Sequence, residues 1–250
     1  MRPLRSIFLP VCCVFCFAAA SVWAAGDELE ALIQRAREAM RARDYATAIE
    51  QLSSATRNFP QEADAWFRLG LAYSADGQID ASIAAYERTA ELDPTQAKAR
   101  NNIANAHFRR GEYETALSWY DQALAIQPDY LLAQFHRGWV LRHFARHDEA
   151  EQSFRQCLEQ RPKNDRERAT QFDCLFYYGA LRFRAEDWDV AAKVMEQVVG
   201  MNNSHIEARY YLGMAYRRTG RAAEARRQLD IHRQMLRASR RNDPIQKEQP

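Results

Sequence analysis

Residues 63–94 read ADAWFRLGLAYSADGQIDASIAAYERTAELDP, and residues 97–128 read AKARNNIANAHFRRGEYETALSWYDQALAIQP. Both stretches contain an amphipathic segment, a turn at Gly77 or Gly111, and a second amphipathic segment. The prolines that close such stretches recur every 34 residues, at Pro60, Pro94, Pro128 and Pro162. A period of this length with helix–turn–helix content predicts a stack of repeats, because one such unit cannot bury its apolar face alone.

The pattern resembles the tetratricopeptide repeat (TPR) family over residues 29–239. The residues that match the family signature best are Trp66, Leu69, Gly70, Tyr73, Gly77, Tyr86 and Pro94. The resemblance implies an all-α fold, a right-handed α-solenoid of about six helix-turn-helix repeats, whose first helices line a concave groove that binds peptides or partner segments. Composition agrees, because the chain of 250 residues has only 9 Gly and 8 Pro, and about one residue in six is Ala.

The resemblance also predicts how the chain is divided. The expected repeats are residues 29–62, 63–96, 97–130, 131–164, 172–205 and 206–239. The period slips by seven residues after Pro162, so we expect residues 165–171 to form an irregular insertion. Residues 240–250 are polar and end in QKEQP, which predicts a disordered tail.

The first 24 residues have the organisation of a secretory signal. Basic residues (Arg2 and Arg5) precede an uncharged apolar run over residues 7–20, and Val22 and Ala24 suit a cleavage site after Ala24. We therefore expect the protein to be exported, and to be periplasmic and soluble once residues 1–24 are removed.

Two alternatives to a cleaved signal remain open. One is an uncleaved membrane anchor, but the apolar run of about 14 residues is shorter than the roughly 20 that span a bilayer. The other is lipidation at Cys12, Cys13 or Cys16. The residues before these cysteines are Val11, Cys12 and Phe15, which match a lipoprotein signal poorly.

Charge balance narrows the kinds of partner. The chain has 35 Lys and Arg against 33 Asp and Glu, and removal of the signal leaves 33 of each, so we expect no nucleic-acid partner. Residues 209–241 differ, with ten Arg and only two acids, Glu224 and Asp230. This end could contact anionic lipid, an acidic partner or a polyanion, or it could be a solvated helical capping repeat. Membrane contact is expected only there.

No catalytic constellation is present: the chain has no phosphate-binding glycine loop, no GxSxG and no HExxH. The nearest metal-ligand pattern is His136, His143 and His147 with Asp148 and Glu149. It crosses the predicted turn of the fourth repeat, so surface and groove histidines are the favoured interpretation. We expect a protein that is not an enzyme and has no metal or cofactor.

The candidate binding residues occupy equivalent places on the first helices of the repeats. They combine aromatic, amide and cationic side chains: Phe67, Asn101, Asn105, Phe108, Arg109, Phe135, Trp139, Arg142, His143, Phe176, Arg184, Tyr210 and Arg218. Such a groove would suit a protein or peptide partner with aromatic and acidic residues. The alternative is structural, because cations are favoured at helix C-termini and aromatics fill inter-repeat cores.

These features predict an exported, non-catalytic protein-binding scaffold. The alternative function is an accessory or assembly subunit of a cell-envelope machine, such as a pilus, secretion or polysaccharide-export system. Such a subunit would dock through its Arg-rich C-terminal repeat.

Beyond the signal, only Cys157 and Cys174 remain. The resemblance places Cys157 on the second helix of the fourth repeat and Cys174 near the start of the first helix of the fifth. They could form a disulfide across the joint where the period fails. They could equally be two separately buried thiols.

Overall fold

The computed structural model describes the backbone of residues 12–241 and the side chains of residues 26–239, and all its regular elements are helices. The twelve helices form consecutive helix–turn–helix pairs, which confirms the predicted all-α fold class. They are α1 (Cys12–Arg41), α2 (Tyr45–Asn58), α3 (Ala63–Ala75), α4 (Ile79–Leu92), α5 (Ala97–Arg109), α6 (Tyr113–Ile126), α7 (Leu131–His143), α8 (His147–Glu159), α9 (Asp165–Arg184), α10 (Trp188–Met201), α11 (Ile206–Arg218) and α12 (Ala222–Arg241).

The chain divides into two compact units between Glu112 and Tyr113. In the first unit each of α1 to α4 packs against the next helix along the chain. The second unit, α6 to α12, follows the same rule, and in addition α9 contacts both α7 and α11. First helices of successive repeats therefore lie side by side in the second unit, as stacking of repeats requires.

Glycines on the first helices allow close approach of an aromatic ring from the second. A Cβ at Gly70 would lie 2.5 Å from Cε1 of Tyr86, and one at Gly138 would lie 2.8 Å from Cε1 of Phe154. Both rings are almost fully buried. The small residues of the repeat signature thus make room for the large ones.

Each first helix is followed by a turn that contains one residue with positive φ. These residues are Arg43, Gly77, Gly111, Ala145, Glu186 and Gly220. Consecutive members are 34 residues apart, except that Ala145 and Glu186 are 41 apart. The turns therefore follow the predicted period, including its slip of seven residues.

The prediction that residues 165–171 are irregular is wrong, because they form the first turns of α9. This helix has 20 residues, whereas α7 and α11 have 13 each. Asn164 Oδ1 accepts the Glu167 backbone N–H at 2.9 Å, and a Glu167 carboxylate oxygen accepts the Lys163 N–H at 2.7 Å. This reciprocal Asn-x-x-Glu arrangement satisfies backbone donors at the helix start and so nucleates the helix earlier.

The two ends of the chain are described in part. Residues 1–11 lie outside the described residues, and the predicted cleavage point after Ala24 lies within α1. Of the predicted tail, residues 240–241 belong to the end of α12, and residues 242–250 lie outside the described part. Among the helices that the structure describes, none is long and apolar enough to cross a membrane.

Candidate partner-binding site

Two adjoining clefts lie on the first helices of the second unit. The cationic cleft, of about 340 Å³, is lined by Arg142, His147, Ala180, Leu181, Phe183, Arg184 and Tyr211. The aromatic cleft, of about 390 Å³, is lined by Arg142, Phe176, Tyr177, Ala180, Glu207, Tyr210, Tyr211 and His232. Because Arg142, Ala180 and Tyr211 line both, the clefts are neighbours with a shared wall.

Arg142, in the last turn of α7, is the charged residue that the two clefts share. Its guanidinium carbon lies 4.8 Å from the ring centroid of Tyr177 and 5.9 Å from that of Trp139. Cation–π attraction at these distances fixes the side chain without using its N–H donors. Its Nε atom is buried and has no hydrogen-bond partner within the protein.

The predicted residues Trp139 and His143 lie beside Arg142 at the end of α7. Their rings stack with centroids 5.9 Å apart and an interplanar angle of 4°, and the His143 ring lies 4.6 Å from that of Tyr113. The structure therefore brings these three predicted site residues together, with an exposed His143 at the edge of an aromatic cluster.

Other predicted residues of the second unit take different places. Arg184 lines the cationic cleft, and Tyr210, which is 41% exposed, lines the aromatic cleft. Arg218 is exposed, with its guanidinium carbon 5.1 Å from the Trp188 ring centroid.

Phe135 is partly buried, and its ring lies within 6.4 Å of those of Phe154 and Tyr177. It therefore contributes mainly to packing between repeats.

Phe176 lines part of the aromatic cleft but is mainly a core residue. It is only 7% exposed and packs with Met195, Leu212 and Tyr216 in the hydrophobic core of the last repeats. The reason is that α9 is covered by α10 and α11, so only part of this ring reaches the aromatic cleft.

In the first unit, Asn101 departs from its prediction as a groove residue. It is 2% exposed, and its Oδ1 atom is buried without a partner, so it cannot line an open groove. Phe67 lies 5.8 Å from the Tyr86 ring, and Arg109 Nη1 donates to the Ser74 carbonyl at 3.4 Å. Phe108 and Asn105 are partly buried.

Sequence reasoning did not predict all the side chains that line the clefts; Tyr177, Tyr211 and His147 are among those missed. Tyr177 and Tyr211 each follow a residue that was predicted, and they are themselves 34 residues apart. A second aromatic position that repeats with the period is the signal that could have identified them. His147 carries no such signal, because it is the first residue of a second helix.

The histidines do not form a metal centre. The described residues contain no group of three or more His, Cys, Asp or Glu side chains placed to hold a metal ion. Burial, with a smaller effect of Arg166, lowers the pKa of His136 to about 4. Its ring stacks on Tyr120 with centroids 5.7 Å apart. His136 is therefore a neutral packing residue at pH 7.

Cys157 and Cys174 form a disulfide between α8 and α9, with Cα atoms 6.5 Å apart and both side chains fully buried. Nearby, Gln171 Nε2 donates to the carbonyls of Leu158 at 3.1 Å and Gln160 at 2.8 Å. The extended start of α9 thus holds the end of α8 covalently and by hydrogen bonds.

Comparison with known proteins identifies the family. One tetratricopeptide repeat model matches residues 95–163, and another matches residues 33–97 and 179–235. The chain therefore belongs to the tetratricopeptide repeat family. Proteins of this family bind protein or peptide partners and are generally non-catalytic scaffolds.

Individual relatives are distant. Superkiller protein 3 of Schizosaccharomyces pombe is 33% identical over 95 residues, which cover 38% of this chain and 7% of that protein. The chain spans less than a third of the length of the curated relatives that it matches first.

Solved structures share the fold. Pseudomonas aeruginosa pilF has a TM-score of 0.68 and 15% identity, with 90% of this chain and 100% of that chain covered. YrrB, a TPR protein with an unusual peptide-binding site, has a TM-score of 0.66 and 20% identity, with 75% and 93% covered.

Proposed function

We propose that this protein is an exported, non-catalytic scaffold that holds a segment of a protein partner in the adjoining clefts of α7, α9 and α11. The observation that carries the proposal is the pair of clefts itself. Their walls combine partly exposed tyrosines with arginines on three consecutive first helices. Tyrosine and arginine are the residue types that contribute most to protein interfaces, because they bury large areas and still form hydrogen bonds.

Two observations support export. The sequence of residues 1–24 has the three parts of a secretory signal. The two cysteines outside that segment are joined in a buried disulfide, and structural disulfides persist in oxidising compartments such as the periplasm. A periplasmic location accounts for both features.

The clefts also favour a particular kind of partner segment. The aromatic cleft presents the rings of Tyr177, Tyr210 and Tyr211, which suit an aromatic or apolar side chain. Arg142 and Arg184 suit an acidic one. An extended segment with both kinds of residue would fill neighbouring clefts at once.

A second candidate function rests on α12. Its arginines Arg226, Arg227 and Arg237 are exposed, and its acids are only Glu224 and Asp230. In this candidate the protein is an accessory or assembly subunit of a cell-envelope machine, and α12 docks it to an acidic component or to anionic lipid.

Affinity capture from the native host separates the two candidates. The variant W139A/R142A should lose its partner while its melting temperature changes little, whereas the matched variant R226A/R227A should retain it. Loss of the partner only in R226A/R227A would favour the envelope-machine candidate. Unaltered capture by W139A/R142A together with a large loss of stability would contradict a binding role for these residues.

Export has its own test. Mass spectrometry of the protein from the envelope fraction should show a chain that begins at Ala25. A mature protein that retains Arg2 would contradict the proposed cleavage.

A further inference from the structure

We infer that the cationic cleft binds the carboxylate of an Asp or Glu side chain of the partner segment, with Arg142, His147 and Arg184 as the residues that recognise it. The inference rests on the proposed function, because it names what one of the two clefts accepts. It assigns a binding role to His147, a residue that the family signature does not single out.

The first observation is an uncompensated charge. The cationic cleft is lined by Arg142 and Arg184 and contains no Asp or Glu, whereas the aromatic cleft has Glu207. No described carboxylate forms an ion pair with either arginine. Some other arginines of the same unit are paired, such as Arg182 with Glu151 and Asp187, and Arg137 with Asp121.

The second observation is a set of buried polar atoms without partners. Arg142 Nε and both ring nitrogens of His147 are buried and form no hydrogen bond within the protein. Buried polar atoms in native proteins nearly always have a partner, because an unsatisfied one loses its hydrogen bonds to water without replacement. Two side chains with this property line one cleft, which indicates that a ligand supplies the missing acceptor.

The local fold explains how they meet. Arg142 lies in the last turn of α7 and His147 is the first residue of α8, so the two flank the tight turn at Ala145. The arginine is held by its contact with the Tyr177 ring, 4.8 Å from the guanidinium carbon. The donors are thereby oriented before any ligand arrives, which reduces the entropic cost of binding.

The chemistry of the cleft favours a carboxylate on a short aliphatic stem. An ionised carboxylate only accepts hydrogen bonds, so it can receive N–H donors from the side chains that line the cleft, Arg142, Arg184 and His147. The walls are completed by Ala180, Leu181 and Phe183, which would contact the methylene groups of an Asp or Glu side chain. A cleft of about 340 Å³ accommodates one such side chain and the adjoining backbone.

The test uses a phage-displayed library of random 12-residue peptides, selected on the purified full chain. Selected peptides should be enriched in Asp or Glu. In the tightest peptide, replacement of that residue by its amide should weaken binding at least about tenfold, the usual size of a lost charge-assisted hydrogen bond. The variant R142Q/R184Q should bind the acidic and amide peptides equally.

Two further variants keep the result interpretable. Arg184 is exposed, so R184Q alone should fold normally and reduce the discrimination between acid and amide. Arg155 is exposed on α8 and lines neither cleft, so R155Q removes the same charge and should leave the discrimination unchanged.

Four outcomes would overturn the inference. Selected peptides without Asp or Glu, or full discrimination in R142Q/R184Q, would exclude carboxylate recognition while leaving the proposed function intact. Displacement of the peptide by inorganic phosphate, but not by sodium chloride of equal ionic strength, would indicate a phosphorylated partner instead. If no peptide is enriched relative to the support without protein, the proposed function is contradicted as well.

Discussion

Gly138 and Gly200 are both helical glycines, but their surroundings differ. A Cβ at Gly138 would lie within 3.0 Å of three atoms of the Phe154 ring, which is fully buried and cannot move aside. A Cβ at Gly200 would meet no atom within 4 Å. The same substitution therefore tests packing at one site and helix propensity at the other.

We predict that Gly138→Ala lowers the free energy of unfolding by about 1–3 kcal/mol, because the added methyl group overpacks the core. Gly200→Ala should instead raise it by up to about 1 kcal/mol, since Ala loses less backbone entropy in a helix. Urea unfolding followed by circular dichroism measures both. If both variants change the free energy of unfolding in the same direction, the predicted overpacking against Phe154 is contradicted.

His136 makes stability depend on pH. Its pKa is about 4 in the folded protein, against about 6.5 in the unfolded chain, because burial disfavours the charged form. The contribution of His136 to the free energy of unfolding is therefore complete above pH 6.5. It is lost as the pH falls towards 4, because the unfolded chain takes up the proton first and is stabilised by it.

Between pH 7 and pH 4.5 the contribution of His136 should fall by on the order of 2 kcal/mol. His136→Phe keeps a ring against Tyr120 and cannot titrate, so its stability should fall less over the same range. The difference between the two proteins isolates His136 from the carboxylates, which titrate in both. Equal losses would contradict the lowered pKa.

At the scale of elements, the turns show how the repeat tolerates sequence variation. Three of the six turns use Gly at the positive φ position, and three use Arg43, Ala145 or Glu186. A side chain in this conformation costs roughly 1–2 kcal/mol. The fourth turn therefore carries a local cost at the place where Arg142 and His147 are brought together.

Reciprocal substitutions measure this cost. Ala145→Gly should raise the free energy of unfolding by about 0.5–1 kcal/mol, because Gly adopts positive φ freely but is more flexible when unfolded. Gly77→Ala should lower it by a similar amount, since a Cβ there meets no other atom and only the backbone conformation changes. A neutral result for Gly77→Ala in thermal and urea unfolding would argue against backbone strain.

The helices could be predicted from sequence because the repeat signature acts locally. Gly70 and Tyr86 meet within one hairpin, so a 34-residue pattern contains the contact that it describes. The start of α9 was missed although the Asn164–Glu167 capping pair was visible in the sequence. The seven extra residues in the repeat period were interpreted as an irregular insertion, whereas they lengthen the helix.

At the scale of the whole molecule, the site was harder to predict than the fold. Arg184 and Tyr210 were identified because they occupy repeated positions on first helices, and Arg142 because it lies with Trp139 on the first helix of the central repeat. His147 was not predicted as a partner-binding residue, and Asn101 was predicted in the groove although it is buried, because exposure and unsatisfied hydrogen bonds depend on how each helix is covered by its neighbours. A repeat pattern specifies which faces meet but not which donors are left without acceptors.

The disulfide should stabilise the second unit. Cys157 and Cys174 are 17 residues apart in sequence, and closing a loop of this size contributes on the order of 3 kcal/mol in the chain-entropy model. Reduction with dithiothreitol should lower the urea midpoint of the native protein. C157A/C174A should begin near that lower midpoint and show no further response to the reductant. Two free thiols per chain, titrated in unreduced denatured protein, would contradict the bridge.

The same bond changes how the molecule would carry tension. Seventeen residues of extended chain reach roughly 60 Å, but the bridge holds the two Cα atoms 6.5 Å apart. A pull on the termini would therefore pass through the sulfurs and bypass the end of α8 and the start of α9. Those segments and the Gln171 hydrogen bonds would therefore bear no tension. When fully stretched, the oxidised chain would be roughly 50 Å shorter than the reduced one. For a scaffold that holds a partner under strain, the joint between α8 and α9 would be the last to yield.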